Sequence, residues 1–246
     1  MSIEVATDLR QSLKKDAWLT EKLGRPVWKV ESDSDGESLA MLESTGPLFA
    51  YAKVNIADIA NLWSLTGRGF RVVDVALTFE GTVVSSTNNA MCRFASPADQ
   101  ERVTRIADTT FRYSRFHLDP LLAKEIANAI KSEWVANYFR GKRGDGLVVA
   151  ERDHRVVGFL QLLWEPDNCL LIDLIGVDAG HQGRGIGSDM IRFASRYGTG
   201  DQRRPARIKV GTQAANTPSV RLYESLGLRL INAQYVLHYH GRQSAA

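Results

Sequence analysis

The stretch from Leu170 to Ser188 constrains the fold of this chain more than any other part of the sequence. It begins with the apolar run Leu170–Val177, which contains a single acid, Asp173. A run of about eight such residues is typical of a strand that is buried on both faces. A glycine-rich loop follows, and then the start of a helix. The sequence therefore predicts a unit made of a strand, a glycine loop and a helix.

The loop Gln182–Gly187 contains three glycines. Because glycine has no Cβ, successive backbone N–H groups can approach an anion at the positive end of the following helix. The dinucleotide pattern Gly-x-Gly-x-x-Gly does not fit, since Ser188 and Met190 stand where its last glycine is expected, and the P-loop ending is absent. We interpret the loop as a phosphate-binding device, with a purely structural turn as the alternative.

Composition excludes several classes of protein. The 31 Lys and Arg residues exceed the 28 Asp and Glu residues by only three, which is too few to indicate nucleic-acid binding but suits small anionic ligands. Cys92 and Cys169 are far apart in the sequence, so neither a disulfide framework nor a metal site is predicted. No signal-peptide pattern and no run of 18 apolar residues occurs, and we therefore expect a cytoplasmic protein without membrane insertion.

Residues 1–90 predict a small α/β accessory domain, with residues 81–90 as a polar linker. Its expected elements are strands at Val27–Val30, Leu48–Val54 and Phe70–Phe79, and a helix that carries Ile56, Ile59, Leu62 and Trp63 and ends at Gly67. The domain contains no cluster of reactive side chains. A structural or dimerising role is therefore favoured over a catalytic one.

Residues 91–246 predict a second α/β domain, so that the expected fold class is α/β with a mixed (α+β) sheet. Its expected elements are a helix from Ser96 to about Thr110, a helix capped by Asp119-Pro120, a hairpin of Leu147–Ala150 with Val156–Trp164, the strand Leu170–Val177, the helix after the glycine loop, a strand at Ala206–Gly211, a helix from Thr217 to Gly227, and final strands within Leu228–His240.

Two further segments carry candidate functional side chains. The loop Phe111–Leu118 is dense in aromatic and cationic groups, which can stack on sugars or bases and bind phosphate; aromatic packing between two helices is the alternative. Its candidate substrate-binding residues are Arg112, Arg115, Phe116 and His117. Asn216 and Tyr223 are seven residues apart, which places both along one edge of a helix. In isolation, a capping asparagine and a packing tyrosine would be the simpler interpretation.

Gln182, Gly185 and Gly187 match the Gln/Arg-x-x-Gly-x-Gly/Ala motif, and with this motif the chain resembles the GNAT superfamily of acetyltransferases. The order of the predicted elements, a GNAT domain preceded by a small α/β domain, agrees with this resemblance. It implies acetyl-CoA as co-substrate. In this superfamily the strand before the glycine loop separates from its neighbour, and acetyl-CoA binds to this strand, to the glycine loop and to the helix that corresponds to the one with Asn216. The matching residues are Leu174, Ile175, Gly176, Val177, Gln182, Gly183, Arg184, Gly185, Ile186, Gly187, Ser188, Asn216 and Tyr223.

Acetyl transfer also needs an acid and a base. The resemblance makes Tyr223 the acid that protonates the departing thiolate, and its phenol has an ordinary pKa slightly above that of a thiol. Asp173 is our candidate base, because burial in an apolar strand would raise its pKa towards a useful value. Glu165, His117 and a chain of water molecules are the alternatives.

Ser114–His117, the segment Val210–Gln213, Asn216 and Tyr223 resemble the dTDP-fucosamine acetyltransferase group. This resemblance implies that the chain acetylates the amino group of a dTDP- or UDP-linked amino deoxy sugar and forms a homodimer. Two other functions stay open. One is acetylation of a protein N-terminus or of a small-molecule amine such as an aminoglycoside, and the other is a non-catalytic acyl-CoA-binding module.

Overall fold

The computed structural model describes residues 13–31, 46–83, 91–200 and 203–241. Within these ranges the chain forms ten strands and six helices, which confirms a mixed α/β fold. The strands are β1 (Leu13–Lys15), β2 (Val27–Val30), β3 (Phe49–Asn55), β4 (Arg71–Gly81), β5 (Cys92–Phe94), β6 (Gly146–Arg152), β7 (Arg155–Glu165), β8 (Cys169–Val177), β9 (Arg207–Gln213) and β10 (Arg229–His240). The helices are α1 (Ala17–Leu23), α2 (Ile59–Gly67), α3 (Gln100–Thr110), α4 (Lys124–Phe139), α5 (Ile186–Tyr197) and α6 (Thr217–Ser225).

The chain divides into two compact units, one of residues Met1–Ala76 with Ala233–Ala246 and one of residues Leu77–Asn232. The boundaries fall inside β4 and β10. Residues 84–90 of the predicted linker lie outside the described residues, and the predicted domain boundary after residue 90 stays a prediction. None of the described helices combines the length and apolar character needed to cross a membrane.

In the first unit the strand order is β1, β2, β3, β10. β2 runs parallel to β3, and β1 and β10 run antiparallel to their neighbours β2 and β3. Helix α2 begins at Ile59 rather than near Ile56, because the Asp58 carboxylate caps it by accepting the Asn61 N–H at 3.2 Å. The predicted apolar stripe of α2 is buried only in part: Leu62 packs against the buried cluster that contains Leu65, whereas Trp63 is 72% exposed.

In the second unit the strand order is β9, β8, β7, β6, β5. The predicted hairpin is confirmed: β6 and β7 pair antiparallel around Asp153 and His154, whose positive φ angles of 49° and 57° suit a tight turn. β8 pairs antiparallel with β7 and parallel with β9. This arrangement places β8 in the interior of the sheet, as its apolar sequence predicts.

Helices cover both faces of this sheet. Leu147 and Val149 of β6 belong to the same buried cluster as residues of α3 and α4, whereas Val148 and Ala150 belong to the cluster that includes residues of α5 and α6. The alternation follows from the two-residue period of a strand. Because both faces are covered, alternation between polar and apolar residues is absent from β6.

Helix α4 begins at Lys124, later than predicted from Asp119-Pro120. Ala123 is still extended, with ψ at 140°. The Asp119 carboxylate instead accepts the Leu121 N–H at 2.9 Å, which closes a turn before the helix. The prediction that Asp119-Pro120 caps this helix was therefore wrong, because the Asp119 side chain closes a separate turn and the N-cap residue Ala123 makes no side-chain cap hydrogen bond.

Candidate active site

A bulge interrupts the pairing of β7 and β8. Gln161 pairs with Leu174 and Leu162 pairs with Ile172, so that Asp173 is the additional residue of β8. Within the described residues, the parallel ladder between β8 and β9 ends at the pair Ile172–Val210. Beyond this point the backbone of Leu174–Val177 pairs on the β7 side only. This opening leaves backbone N–H and C=O groups that can pair with an extended ligand.

The glycine loop follows the open end of β8. Gly183 and Gly185 have φ angles of +73° and +79°, and an added Cβ would meet nothing within 4 Å at either position. Glycine is therefore required there by backbone conformation, and the space around it is free. Gly185 caps α5 without a side-chain hydrogen bond. Within the described residues, no capping side chain accepts a hydrogen bond from the first N–H groups of α5, which is the arrangement that attracts a phosphate.

Two polar contacts hold the chain where it enters the loop. The Gln182 amide donates to the Val177 carbonyl oxygen at 3.0 Å. Arg102 of α3 forms a hydrogen-bonded ion pair with Asp178 and also donates to the Val156 carbonyl oxygen at 2.8 Å. The loop therefore leaves the strand in a fixed direction. We expected the side chain of Gln182 to contact the cofactor, but in the structure its amide group binds the backbone of Val177.

Helix α6 lies beside the glycine loop and the open strand. A Cβ on Gly187 would lie 3.1 Å from Leu222 Cδ2 and 3.8 Å from Ile175 Cδ1, so that residues of α5, α6 and β8 meet at this point. Tyr223 of α6 is 1% exposed and belongs to the same buried cluster as Ile172 and Ile186. The structure thus brings the predicted cofactor-binding segments together.

The predicted acid Tyr223 is buried, and burial raises the pKa of its phenol while a hydrogen bond with Ser219 opposes the shift. The phenol is protonated at neutral pH, which is the form that an acid must start from, but the raised pKa makes it a weaker acid towards a thiolate than the ordinary value implies, and its role as the acid stays a prediction. Asn216 has a structural role, since its side-chain oxygen accepts the Ser219 N–H at 3.4 Å as the N-cap of α6.

Asp173 is surrounded by hydrogen-bond donors. The Arg143 guanidinium donates to both carboxylate oxygens at 2.7 and 2.6 Å, Trp134 Nε1 donates at 2.9 Å, and Gln161 Nε2 donates at 3.2 Å. The carboxylate side chain is 6% exposed. Because both oxygens are occupied, the geometry favours Asp173 as a positioning residue over the predicted base.

The alternative base Glu165 is also engaged. It forms an ion pair with Lys209 at 3.0 Å, and it pairs with Cys169 at the far end of β8. Cys169 is four residues from Asp173, a distance of about 13 Å along a strand. Glu165 therefore lies far from the open end of β8, where a base would have to act.

The loop Phe111–Leu118 packs against α4 and differs from the prediction in detail. Phe116 is 1% exposed, and the Arg115 guanidinium carbon lies 4.4 Å from the centre of its ring. Phe116 therefore faces the core and has no open face for stacking on a substrate in this conformation. Arg112 is exposed, as a residue that contacts a ligand at the surface would be.

His117 joins the loop to α4. Its Nδ1 lies 2.6 Å from Ser114 Oγ and its Nε2 lies 2.9 Å from Asn128 Oδ1. The Asn128 oxygen can only accept, so that Nε2 carries the proton and Nδ1 accepts from the Ser114 hydroxyl. Burial lowers the pKa of His117, and Lys131 and Lys124 lower it further while the Asn128 hydrogen bond opposes them. Because both ring nitrogens are engaged in hydrogen bonds, this geometry favours a structural role for His117 over the role of a base.

Sequence reasoning missed four residues beside the bulge: Gln161, Lys131, Arg143 and, as a hydrogen-bond donor, Trp134. Gln161 is fully buried, and its Oε1 has no hydrogen-bond partner within the described residues. Lys131 and Trp134 are three residues apart in α4, which puts them on one helix face. That spacing was readable from the sequence, but their approach to β8 depends on tertiary packing.

Residues 103–228 match the model of the acetyltransferase (GNAT) family. The spore coat polysaccharide biosynthesis protein SpsD of Bacillus subtilis is 32% identical over 142 residues, which are 58% of this chain and 48% of SpsD. The mycothiol acetyltransferase of Thermomonospora curvata is 37% identical over 82 residues, which are 33% of this chain and 27% of that protein. The chain thus spans about half or less of the length of these curated relatives.

A GCN5-related N-acetyltransferase from Sphaerobacter thermophilus superposes with a TM-score of 0.57. The superposition covers 88% of this chain and 75% of that chain at 14% identity. At this level of identity the likeness shows a shared fold. The shared fold agrees with the strand opening and the glycine loop described above.

Proposed function

We propose that this chain, which belongs to the acetyltransferase (GNAT) family, transfers an acetyl group from acetyl-CoA to the amino group of a nucleotide-linked amino deoxy sugar. The observation that carries the choice of acceptor is the 32% identity to SpsD, a protein of spore coat polysaccharide biosynthesis. A polysaccharide pathway supplies acceptors that are sugars. We further propose a dTDP- or UDP-linked acceptor and a homodimeric assembly.

The donor half of the proposal rests on backbone geometry. The open edge of Leu174–Val177 can pair with the pantetheine arm, and the free N–H groups at the start of α5 can bind the phosphates of CoA. Free space at Gly183 and Gly185 is what a bound phosphate needs. An N–H aimed at the thioester oxygen would contribute about 3 to 4 kcal/mol to catalysis.

The acceptor half rests on charge. Arg115, Arg143 and Asp173 are close enough to Lys131 to shift its pKa, and the Arg143 guanidinium is hydrogen-bonded to Asp173. Guanidinium groups bind phosphate in a two-pronged way, so that Arg115 and Arg143 suit the diphosphate of a nucleotide sugar. The exposed Arg112 adds to this charge from the loop.

A small-molecule amine without a nucleotide is the second candidate acceptor, and the identity to a mycothiol acetyltransferase favours it. That similarity covers 33% of this chain, whereas the similarity to SpsD covers 58%. The broader match is the reason for preferring a nucleotide-linked amino sugar.

Release of free thiol from acetyl-CoA, measured over a panel of acceptors, tests the proposal. The panel contains dTDP- and UDP-linked amino sugars, the same sugars without the nucleotide, peptides with a free N-terminus, and aminoglycosides. We expect the highest kcat/KM with a nucleotide-linked amino sugar, and a large loss when the nucleotide is removed. Turnover confined to peptides or aminoglycosides would contradict the proposal, and CoA binding without any turnover would favour a non-catalytic module.

A further inference from the structure

Lys131 is a half-buried residue of α4 with unusual surroundings. Its Nζ lies 5.2 Å from the centre of the Phe111 ring and 5.1 Å from that of Trp134. Within the described residues, no carboxylate forms an ion pair with it and no acceptor atom takes a hydrogen bond from its amine. The Asp173 carboxylate nearby is paired with Arg143 instead. The amine is therefore held by aromatic faces and remains free to bind a ligand.

This amine lies near the β8 bulge, among the side chains that we propose as the acceptor half of the site. Trp134, whose ring it faces, donates its indole N–H to Asp173, the bulge residue. The Arg143 guanidinium lies over the same indole at 4.8 Å and holds the Asp173 carboxylate. One aromatic side chain thus connects Lys131 to the point where β8 opens. In the proposed mode of acetyl-CoA binding, with the thioester on the open strand, the acceptor amine approaches this point.

The charged groups that face Lys131 come from three elements: Arg115 of the loop, Arg143 after α4, and Asp173 of β8. His117 of the loop is also near enough for its pKa to be lowered by Lys131. Burial is the main cause that lowers the pKa of Lys131 to about 8, the two arginines lower it further, and Asp173 raises it. A substantial fraction of the amine is therefore neutral near physiological pH, as a base requires.

We propose that the side-chain amine of Lys131 accepts the proton of the acceptor amine during acetyl transfer. Neutral Lys131 takes a proton from the acceptor ammonium and leaves a nucleophilic amine. The acceptor nitrogen forms the C–N bond to the thioester carbon, the C–S bond breaks, and the sulfur takes a proton from the predicted acid Tyr223. The surplus proton on the new amide nitrogen returns through solvent to the Tyr223 phenolate, and Lys131 releases its proton to solvent.

The other candidate bases are occupied, which strengthens this assignment. Asp173 accepts from three side chains, and both ring nitrogens of His117 are engaged in hydrogen bonds. Glu165 is paired with Lys209 at the other end of β8. The inference rests on acetyl transfer to an amine and does not require that the amine belong to a sugar.

Two substitutions at Lys131 separate a base from a simple cation. Lys131→Arg keeps the positive charge but cannot release a proton at any working pH, and Lys131→Met keeps the length of the stem without the charge. We expect both variants to lower kcat about 100-fold, in the range of general base catalysis. For Lys131→Arg the KM for the acceptor should stay within about twofold. Lys142→Met, which changes an exposed lysine after the same helix, is the control and should leave kcat unchanged.

The dependence of kcat on pH provides a second readout. In the wild type we expect kcat to rise with pH around a midpoint near 8, because the neutral amine is the active form. This midpoint should be the same for two acceptors whose amines have different pKa values, and it should be absent in Lys131→Arg. Full activity of Lys131→Arg together with a raised acceptor KM in Lys131→Met would overturn the proposal in favour of a binding cation.

Direct titration covers the case in which a variant fails to fold. In wild-type protein carrying ¹³C-labelled lysine, NMR should show one amine that titrates near 8 and that disappears from the spectrum of Lys131→Arg. Titration of every lysine near the ordinary value of about 10.4 would overturn the proposal. The kinetic assays use whichever amine the acceptor panel identifies. If the acceptor is a peptide, the proposed sugar substrate is wrong, but kcat of the wild type and of the Lys131 variants can still be compared with that peptide. The two proposals can therefore fail separately.

Discussion

The two sides of β8 are built by different means. The donor side consists of the open strand Leu174–Val177, the glycine loop Gln182–Gly187 and helix α6, and its geometry comes largely from backbone conformation. The acceptor side consists of the loop Phe111–Leu118, helix α4 and Arg143, and it is a network of long side chains around Asp173. A site made of backbone groups depends little on which side chains are present, so that it can bind the same cofactor in proteins of different sequence. A site made of side chains can change its ligand through single substitutions.

This difference predicts separable effects of mutation. Changes on the donor side should alter the use of acetyl-CoA whatever the acceptor is. Changes on the acceptor side should alter the use of the amine and leave acetyl-CoA binding nearly intact.

The largest effect is expected for Tyr223→Phe. Removing the hydroxyl takes away the predicted acid, and we expect kcat to fall at least 100-fold with every acceptor. The ring itself is retained, so that its packing near Phe79, at 5.8 Å between ring centres, should survive. Tyr197→Phe at the end of α5 is the control. Steady-state kinetics decides the question, and a fully active Tyr223→Phe enzyme would exclude the phenol as the acid.

The next largest effect is expected on the donor side at Gly185. Its φ of +79° costs a residue with a Cβ about 1 to 2 kcal/mol, so that Gly185→Ala should raise the KM for acetyl-CoA roughly 5- to 30-fold. Gly180→Ala is a matched control, because Gly180 lies just before the loop, has no positive φ and has free space around its Cβ position. Equal effects of the two substitutions would show that the loop conformation does not matter for acetyl-CoA.

The comparison also explains what the sequence could and could not predict. The hairpin at Asp153-His154, the strand β8 and the conformation of the glycine loop were predicted correctly because local chemistry decides them: turn residues, an apolar run with a single acid, and residues without a Cβ. The inward position of Phe116 could not be predicted, because it depends on what the loop packs against.

The same limit applies to Asp173. Its burial was expected from the apolar strand around it, and its side chain is indeed nearly inaccessible. Its partners Trp134 and Arg143 lie 39 and 30 residues away in the sequence, in α4 and in the turn after it. No local pattern connects Trp134 and Arg143 to β8. Without these partners, a buried Asp173 looked like a carboxylate that is free to act as a base.

On the acceptor side, Asp173→Asn should lower kcat/KM for the acceptor about tenfold. The amide cannot accept the two-pronged contact from Arg143, and Arg143 and Lys131 lose the negative charge of Asp173. The KM for acetyl-CoA should change less than twofold in the same assays. A dominant rise in that KM would mean that the bulge belongs to the donor side, and the division proposed above would fail.

The smallest effect is expected from His117, and it concerns stability. Its pKa is lower in the folded protein than in the unfolded chain, so that below the unfolded value of about 6.5 the unfolded chain takes up a proton that the folded protein does not. The free energy of unfolding should therefore decrease as the pH falls from about 7 towards the folded-state pKa. In His117→Gln, denaturant unfolding at a series of pH values should show part of this decrease removed. His154→Asn, a change at an exposed turn residue with φ of 57°, is the control that should keep the decrease intact. An unchanged pH dependence in His117→Gln would mean that His117 titrates normally, and that the loop of the acceptor side is held to α4 by packing alone.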